Sequence, residues 1–445
     1  MSFHLYLLYL ILTYVRPIDM FAPELAAYRP MIVLWGVAFV SAVARAIARR
    51  EIASRPVYFL LLAAFIGVIA ISQVVNGWSG GALISVADFS TSAMLFVLTV
   101  LNLTSSERVR KTSVVLLICV VVLAVYAIAA YHFGFFAEGL LLRQTTDANE
   151  GFFEQNPPSI PAEDSAHMYL WRVRSLGFLS DPNDFAQAMV MVLPFLWGVY
   201  SRGRLGRNLV LVAAPGAVLL YAIYLTQSRG AILGCLALFA FAAHRRLGTL
   251  RLATIAAVAV TAIATLNYGG RGFSTQEESA GQRIEAWYEG LQMLQHQPIF
   301  GVGYGNFLNH HYLTAHNSFV LCFAELGLVG FFLWVGMLAL GFTGVNQVVQ
   351  RAPADSLEYK LGVQLQASLV GFMTCAWFLS RTYQPGLYLL LALCAAVAWC
   401  TRQRWAQSAE GNWPVVPWVW PTLVAVVISM TAVYGFVILD RITAG

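Results

Sequence analysis

The sequence predicts an all-α integral membrane protein, a polytopic bundle of about 12–13 transmembrane helices with two large external loops that contain short helices. Three observations carry this expectation. Of the 445 residues, 59% are hydrophobic and only 11% are charged, whereas soluble domains run near a quarter charged. Apolar runs of about 17 to 22 residues recur along most of the chain, the length that roughly 30 Å of hydrocarbon requires at about 1.5 Å per residue. The runs are continuous rather than alternating, which argues against a β-barrel and leaves helices to satisfy every backbone group in lipid.

In chain order, spans are expected at about 3–15, 30–46, 57–76, 82–103, 112–133, 184–201, 208–227, 230–244, 252–268, 317–343, 361–380, 385–400 and 418–438. The chain then divides into N-terminal helices (1–133), a first loop (134–183), central helices (184–268), a second loop (269–316) and C-terminal helices (317–445). The first segment lacks a basic start and runs into Arg16-Pro17 rather than a small-residue cleavage site, so no cleaved leader is expected. Lys and Arg set the orientation. Seventeen of the twenty-seven, among them Arg45, Arg108, Lys111, Arg202, Arg245, Arg351 and Arg402, fall in one set of short connections, which should be cytoplasmic. Acids such as Asp147, Glu150, Glu154 and Asp164 gather in the two long loops, which should face the periplasm across the bacterial inner membrane. The net charge of +5 is this topology signal and implies no nucleic-acid partner.

The informative polar residues thus gather on one face, not at mid-membrane where a transporter with broken helices would place them. In the second loop, apolar residues at 284, 287, 291 and 294 repeat with helical period, so residues 282–295 should form an amphipathic helix on or near the outer membrane face. HQPIFGVGYGNF follows as a turn-rich connection. Its Gly301, Gly303 and Gly305 lack the preceding strand and the spacing of a dinucleotide fingerprint, so no nucleotide is expected. In LSDPNDFAQAMV, Asp181 can N-cap the sixth span with Pro182 in its first turn. No metal is expected either, because His310, His311 and His316 do not match a helical zinc spacing and no local carboxylate completes one. The six cysteines lie in or at the ends of apolar segments and read as packing residues.

Four arginines on the external side are candidates for anion binding. Arg229, in LTQSRGAILG, is sixteen residues from Arg245. That is about 24 Å of helix, which places Arg229 slightly inside the outer boundary. An arginine buried there is costly and needs a partner or a wet cavity; the bland alternative is a snorkelling side chain paired with an acid such as Asp88. Arg283 starts the amphipathic helix, and Arg172 and Arg174 lie in WRVRS before the sixth span. Several guanidiniums at one leaflet suit a phosphate or pyrophosphate headgroup, because the planar fork binds phosphate oxygens in pairs and stays charged.

In TAHNSFVLCFAELGLVG, residues 314–330, His316 stands at the lip of an apolar run. An ordinary imidazole can accept a proton from a sugar hydroxyl at neutral pH, although a lone histidine at a helix start is more often a cap. The stretch from His316 to Val345 is too long for one perpendicular span, so it should break or bend at Gly327 or Gly330. Glu325 would then lie below the surface, holding the bend or one of the arginines.

Taken together, GFLSDPNDFAQAM, TQSRGAIL, RIEAWYEGLQMLQHQPIFGVGYGNF and AHNSFVLCFAELGLVG resemble the O-antigen ligase and polymerase superfamily of membrane glycosyltransferases, over residues 170–345. Ligases of that family carry a histidine, then Asn, Ser or Gln, nine residues, Gly, two residues, and Gly, Thr or Tyr; His316, Asn317, Gly327 and Gly330 fit this pattern. The resemblance implies an undecaprenyl-diphosphate-linked glycan as donor and lipid A-core or a similar glycan as acceptor, with membrane lipids as the remaining partners. It further implies that Arg229 and Arg283 bind the diphosphate, that His316 assists the acceptor hydroxyl, and that transfer inverts the anomeric centre without metal or other cofactor. Related ligases usually have twelve spans, one fewer than expected here. A polymerase joining lipid-linked repeat units is the close alternative. A flippase or other transporter is the distant one, since Asp88 and Glu325 are the only acids expected within spans.

Overall fold

The computed structural model describes residues 1–48, 56–145, 158–165, 168–247, 278–406 and 413–444. The longer helices are α1 (Ser2–Val15), α2 (Pro30–Ala48), α3 (Pro56–Val75), α4 (Ser79–Asn102), α5 (Ser106–Phe133), α6 (Pro182–Val192), α7 (Ala214–Leu225), α8 (Arg229–Leu247), α9 (Glu278–His296), α10 (Ser318–Arg351), α11 (Leu357–Ala376), α12 (Pro385–Ala406) and α13 (Val419–Ala444). Twelve of the thirteen expected spans coincide with helices; the other, 252–268, lies outside the described residues, as does 269–277 of the second loop. Among the described residues eight helices are long and apolar enough to cross a membrane, and the chain is a multi-pass membrane protein. The remaining helical spans are shorter or more polar for visible reasons. After α6 the chain tightens into a 3-10 turn at Leu193–Phe195, where Pro194 has no N–H to continue the ladder, and then resumes at Leu196–Val199. Helix α11 carries Glu358, Lys360, Gln364 and Gln366.

The core centres on α12. From Pro385 to Val397 every side chain of this helix is buried, as expected of a helix that is apolar all round, and it packs against α4 and α10. Gly341 and Gly344 let α10 come close to it, against Leu391 and Ala398.

Each of the two long loops has a folded part. In the first, Leu141–Thr145 (β1) pairs antiparallel with Tyr169–Val173 (β2), Leu141 opposite Val173 and Arg143 opposite Trp171. This hairpin was not expected from the sequence. Asp164 anchors it from below, accepting hydrogen bonds from Met168 N (3.0 Å), Tyr169 N (3.1 Å) and Trp171 Nε1 (3.0 Å). In the second loop, α9 is the amphipathic helix. Its buried stripe is Ala286, Trp287, Gly290, Met293 and Leu294, turned from the expected one because it seats on protein, α10 and α13, with Gly290 against Val320.

Candidate active site

Helix α10 is interrupted at Gly327, whose φ of 64° and ψ of −168° lie in a region that side-chain-bearing residues essentially never adopt. An interruption inside a membrane helix releases N–H and C=O groups that lipid cannot satisfy. Residues 298–303 supply the missing partners. Val302 N donates to Ala324 O and Gly303 N to Glu325 O, both at 3.0 Å, while Leu328 N and Val329 N donate to Pro298 O (2.8 Å) and Ile299 O (3.3 Å). A β-carbon on Gly301 would collide with the Glu325 carbonyl group, and one on Gly327 with that of Ile299. The alternating glycines of the second loop are therefore where backbone meets backbone, and the expected bend falls at Gly327. Gly330 stays helical, tight against Leu326.

Side chains complete this plug. From the end of α3 and the turn after it, Gln73 donates to Tyr304 O (2.7 Å) and Asn76 to Gly301 O (2.8 Å). Glu325 is buried, and its carboxylate accepts from Phe307 N (3.2 Å) and Tyr383 Oη (2.8 Å). The expected arginine partner is thus corrected: among the described residues Glu325 is held by a tyrosine and by backbone N–H groups that the plug brings to it, and it stabilises the bend.

The residues before α10 are fixed on both sides. Trp287 Nε1 donates to Ala315 O (2.9 Å), and Thr314 Oγ1 to Ser380 Oγ (2.9 Å). Ser318 Oγ accepts from Arg381 N (2.8 Å) and donates to Leu379 O (2.5 Å), while Thr382 Oγ1 donates to Ser318 O (2.7 Å). Asn317 caps α10, its Oδ1 accepting from Phe319 N (2.8 Å) and Val320 N (3.2 Å). Between these anchors His316 is held at φ 46°, a left-handed conformation that a β-carbon disfavours. Backbone strain of this kind persists only where the surroundings over-determine it. The imidazole is half-buried and has no hydrogen-bond partner among the described residues. Burial first, then the positive charges of Arg283 and Arg381, push its pKa down from 6.5 to about 4, with Asp181 pulling the other way.

Arg381 is the residue that sequence reasoning missed. It lies between α11 and α12, forms an ion pair with Asp184 in the first turn of α6, and stands 3.9 Å from Asp181, the N-cap of that helix. The available signal was a cation in a short external connection, on the same side as the other candidates. The 375–382 segment also meets two further helix starts: Ser318 of α10, as above, and Gly230 of α8, which rests on Phe378 and accepts a hydrogen bond from Cys375 Sγ at 3.5 Å. Three helix N-termini with partial positive charge thus face one segment. Arg381→Lys keeps the charge and loses the fork, so the transfer activity that the sequence resemblance implies should fall about tenfold or more with unchanged protein yield. Arg381→Gln should in addition destabilise the protein by about 3–5 kcal/mol, because it leaves Asp184 unpaired. Thermal unfolding and a transfer assay on the two variants check this.

The four predicted arginines divide into two pairs. Arg229 opens α8 at the turn beside Phe378, where a cation is unfavourable for the helix dipole unless an anion accompanies it. Arg283 is close enough to His316 to shift its pKa. Arg172 is engaged by protein, donating to Thr226 O (2.8 Å) and Asn183 Oδ1 (2.9 Å), and so ties the hairpin to the turn before Arg229 and to α6. Arg174 donates to Gly139 O (3.1 Å) and Glu138 O (3.0 Å). Burial first, then the charges of Glu325 and of Asp88, which is exposed on α4, raise the pKa of Tyr304.

Residues 214–335 match a family described as O-Antigen ligase. The matched stretch contains Arg229, Arg283, His316, Asn317, Glu325, Gly327 and Gly330, and leaves out Arg172, Arg174 and Arg381. No curated protein matches the chain.

Proposed function

We propose, from the match of residues 214–335 to the O-Antigen ligase family, that the chain transfers a glycan from undecaprenyl diphosphate to lipid A-core or a similar acceptor at the periplasmic face of the inner membrane. The observation that carries the reading is His316: an unbonded imidazole held in a strained backbone position beside Arg283 and Arg381. The acceptor hydroxyl gives its proton to His316 as its oxygen attacks the anomeric carbon from the face opposite the diphosphate. The bond from that carbon to the diphosphate oxygen breaks, and its electron pair leaves with undecaprenyl diphosphate. Arg229 and Arg283 bind the diphosphate and Arg381 adds positive charge where negative charge develops. Arg172 and Arg174 hold the hairpin and the turn that position Arg229. The leaving group is already activated, so charge stabilisation and an aligned acceptor are sufficient.

An imidazole with a pKa of about 4 is a weak base in the empty protein. Donor binding corrects this, because the negative charge of the diphosphate offsets the two guanidiniums and lets the pKa rise. Proton acceptance is thereby coupled to donor occupancy. NMR titration of His316 should give a pKa near 4 without ligand and a higher one with undecaprenyl diphosphate; an unchanged value would remove the coupling. The sign for stability follows. Between about 4 and 6.5 the unfolded chain binds more protons at this site than the folded one, so His316 lowers stability as pH falls through that window.

Reconstitution of the purified protein with a lipid-linked glycan and two acceptors, lipid A-core and a second lipid-linked repeat, tests the assignment. Product on lipid A-core supports the ligase. A longer lipid-linked glycan makes the protein a polymerase, and passage of the glycan across the bilayer without a new bond makes it a transporter.

A further inference from the structure

At the end of the bundle remote from His316, α5, α11 and the turn after α6 enclose an open cleft of about 460 Å³. Its cations are Arg110, Arg202 and Lys360. Arg110 is paired with Glu107 at 2.6 Å, whereas Arg202 and Lys360 are exposed and make no ion pair among the described residues. At the back of the cleft lies Gln364, only 3% exposed. Its amide abuts Gly198, where a β-carbon would stand 3.0 Å from Nε2, and it has no hydrogen-bond partner among the described residues. The amide is therefore open to the space that the two unpaired cations surround, where it can bond a ligand.

The mouth of the cleft is aromatic and apolar. Trp197 and Tyr200 line it with about half their surface exposed, and Leu205 and Leu209 continue an exposed apolar face beside it. Trp and Tyr favour the level of lipid headgroups, and bare leucines next to them suit acyl chains. A basic pocket between membrane helices at the basic end of a bundle suits an anionic headgroup.

We propose that this cleft binds the phosphodiester headgroup of an anionic phospholipid from the cytoplasmic leaflet. Arg202 and Lys360 contact the phosphate oxygens, Gln364 donates its amide N–H from behind, and Asp355 on the rim accepts from a headgroup hydroxyl, while the acyl chains lie along Trp197 and Leu209. This site is independent of the transfer chemistry at the other end.

Native mass spectrometry of the detergent-purified full chain tests the proposal, with phosphatidylglycerol, phosphatidylethanolamine and inorganic phosphate as probes. The wild-type protein should retain phosphatidylglycerol in preference to phosphatidylethanolamine, and phosphate should not displace it. The double variant Arg202→Gln with Lys360→Gln should bind it roughly twentyfold or more weakly, since each cation near a lipid surface contributes about 1 kcal/mol and two are lost. Gln364→Leu, which keeps every charge, should weaken it too. Lys111→Gln with Arg402→Gln removes the same charge at the same end outside the cleft and should leave retention unchanged. Equal losses in the two double variants would reduce the effect to general attraction, and displacement by phosphate would make this a site for the free anion; either result overturns the proposal, as does equal retention of the two lipids.

Discussion

Gly327→Val is expected to abolish folded protein in the membrane, reducing the monodisperse fraction in detergent extracts at least about tenfold. The residue sits at φ 64° and ψ −168°, where a side-chain-bearing residue costs about 1–3 kcal/mol in backbone strain alone. Its β-carbon would also strike the Ile299 carbonyl, pushing residues 298–303 away. Four backbone hydrogen bonds cross this junction, and each buried group left without a partner costs about 1–3 kcal/mol. Against a total stability of about 5–15 kcal/mol, the combination is decisive. Fluorescence-detected size exclusion reads the outcome. Gly67→Ala on α3 is the control, since nothing lies within 4 Å of its added carbon, and its yield should be unchanged. A Gly327→Val protein that elutes like wild type would show that the plug is dispensable.

His316→Ala should lower glycan transfer about 10²- to 10⁴-fold, the usual range for removing a general base. The fold should survive, because the anchors on Ala315, Asn317 and Ser318 do not involve the imidazole. His316→Asn is the sharper variant. Asparagine tolerates the left-handed conformation and keeps a hydrogen-bonding group, but it cannot take a proton. It should be as inactive as the alanine variant while still binding donor. In cells, lipid-linked glycan should accumulate and capped lipopolysaccharide disappear; normal capping by either variant would sink the assignment.

What could be read from the sequence were the features that local chemistry dictates. Hydropathy located the spans because lipid imposes a length on each one. The bend in α10 followed from a stretch too long for one crossing and from the glycines within it, and the Asp181 cap from a helix start written as Asp-Pro. What escaped was set by contacts between distant segments. Gly301 and Gly303 looked like a generic turn because the carbonyls they approach are about twenty residues away in sequence. Glu325 was expected to need a cation, since a tyrosine 58 residues away in another connection could not be foreseen. Arg381 was counted among the external cations without being singled out, because its meaning comes from Asp184, 197 positions earlier.

The order in which the plug and its helix appear along the chain bears on how such a helix is made. Residues 298–303 precede Ser318 and therefore leave the ribosome before α10 does. When the interrupted helix passes into the bilayer, the segment that closes its gap has already been synthesised. A chain in which this order were reversed would leave the open carbonyls of Ala324 and Glu325 in hydrocarbon until their partners arrived.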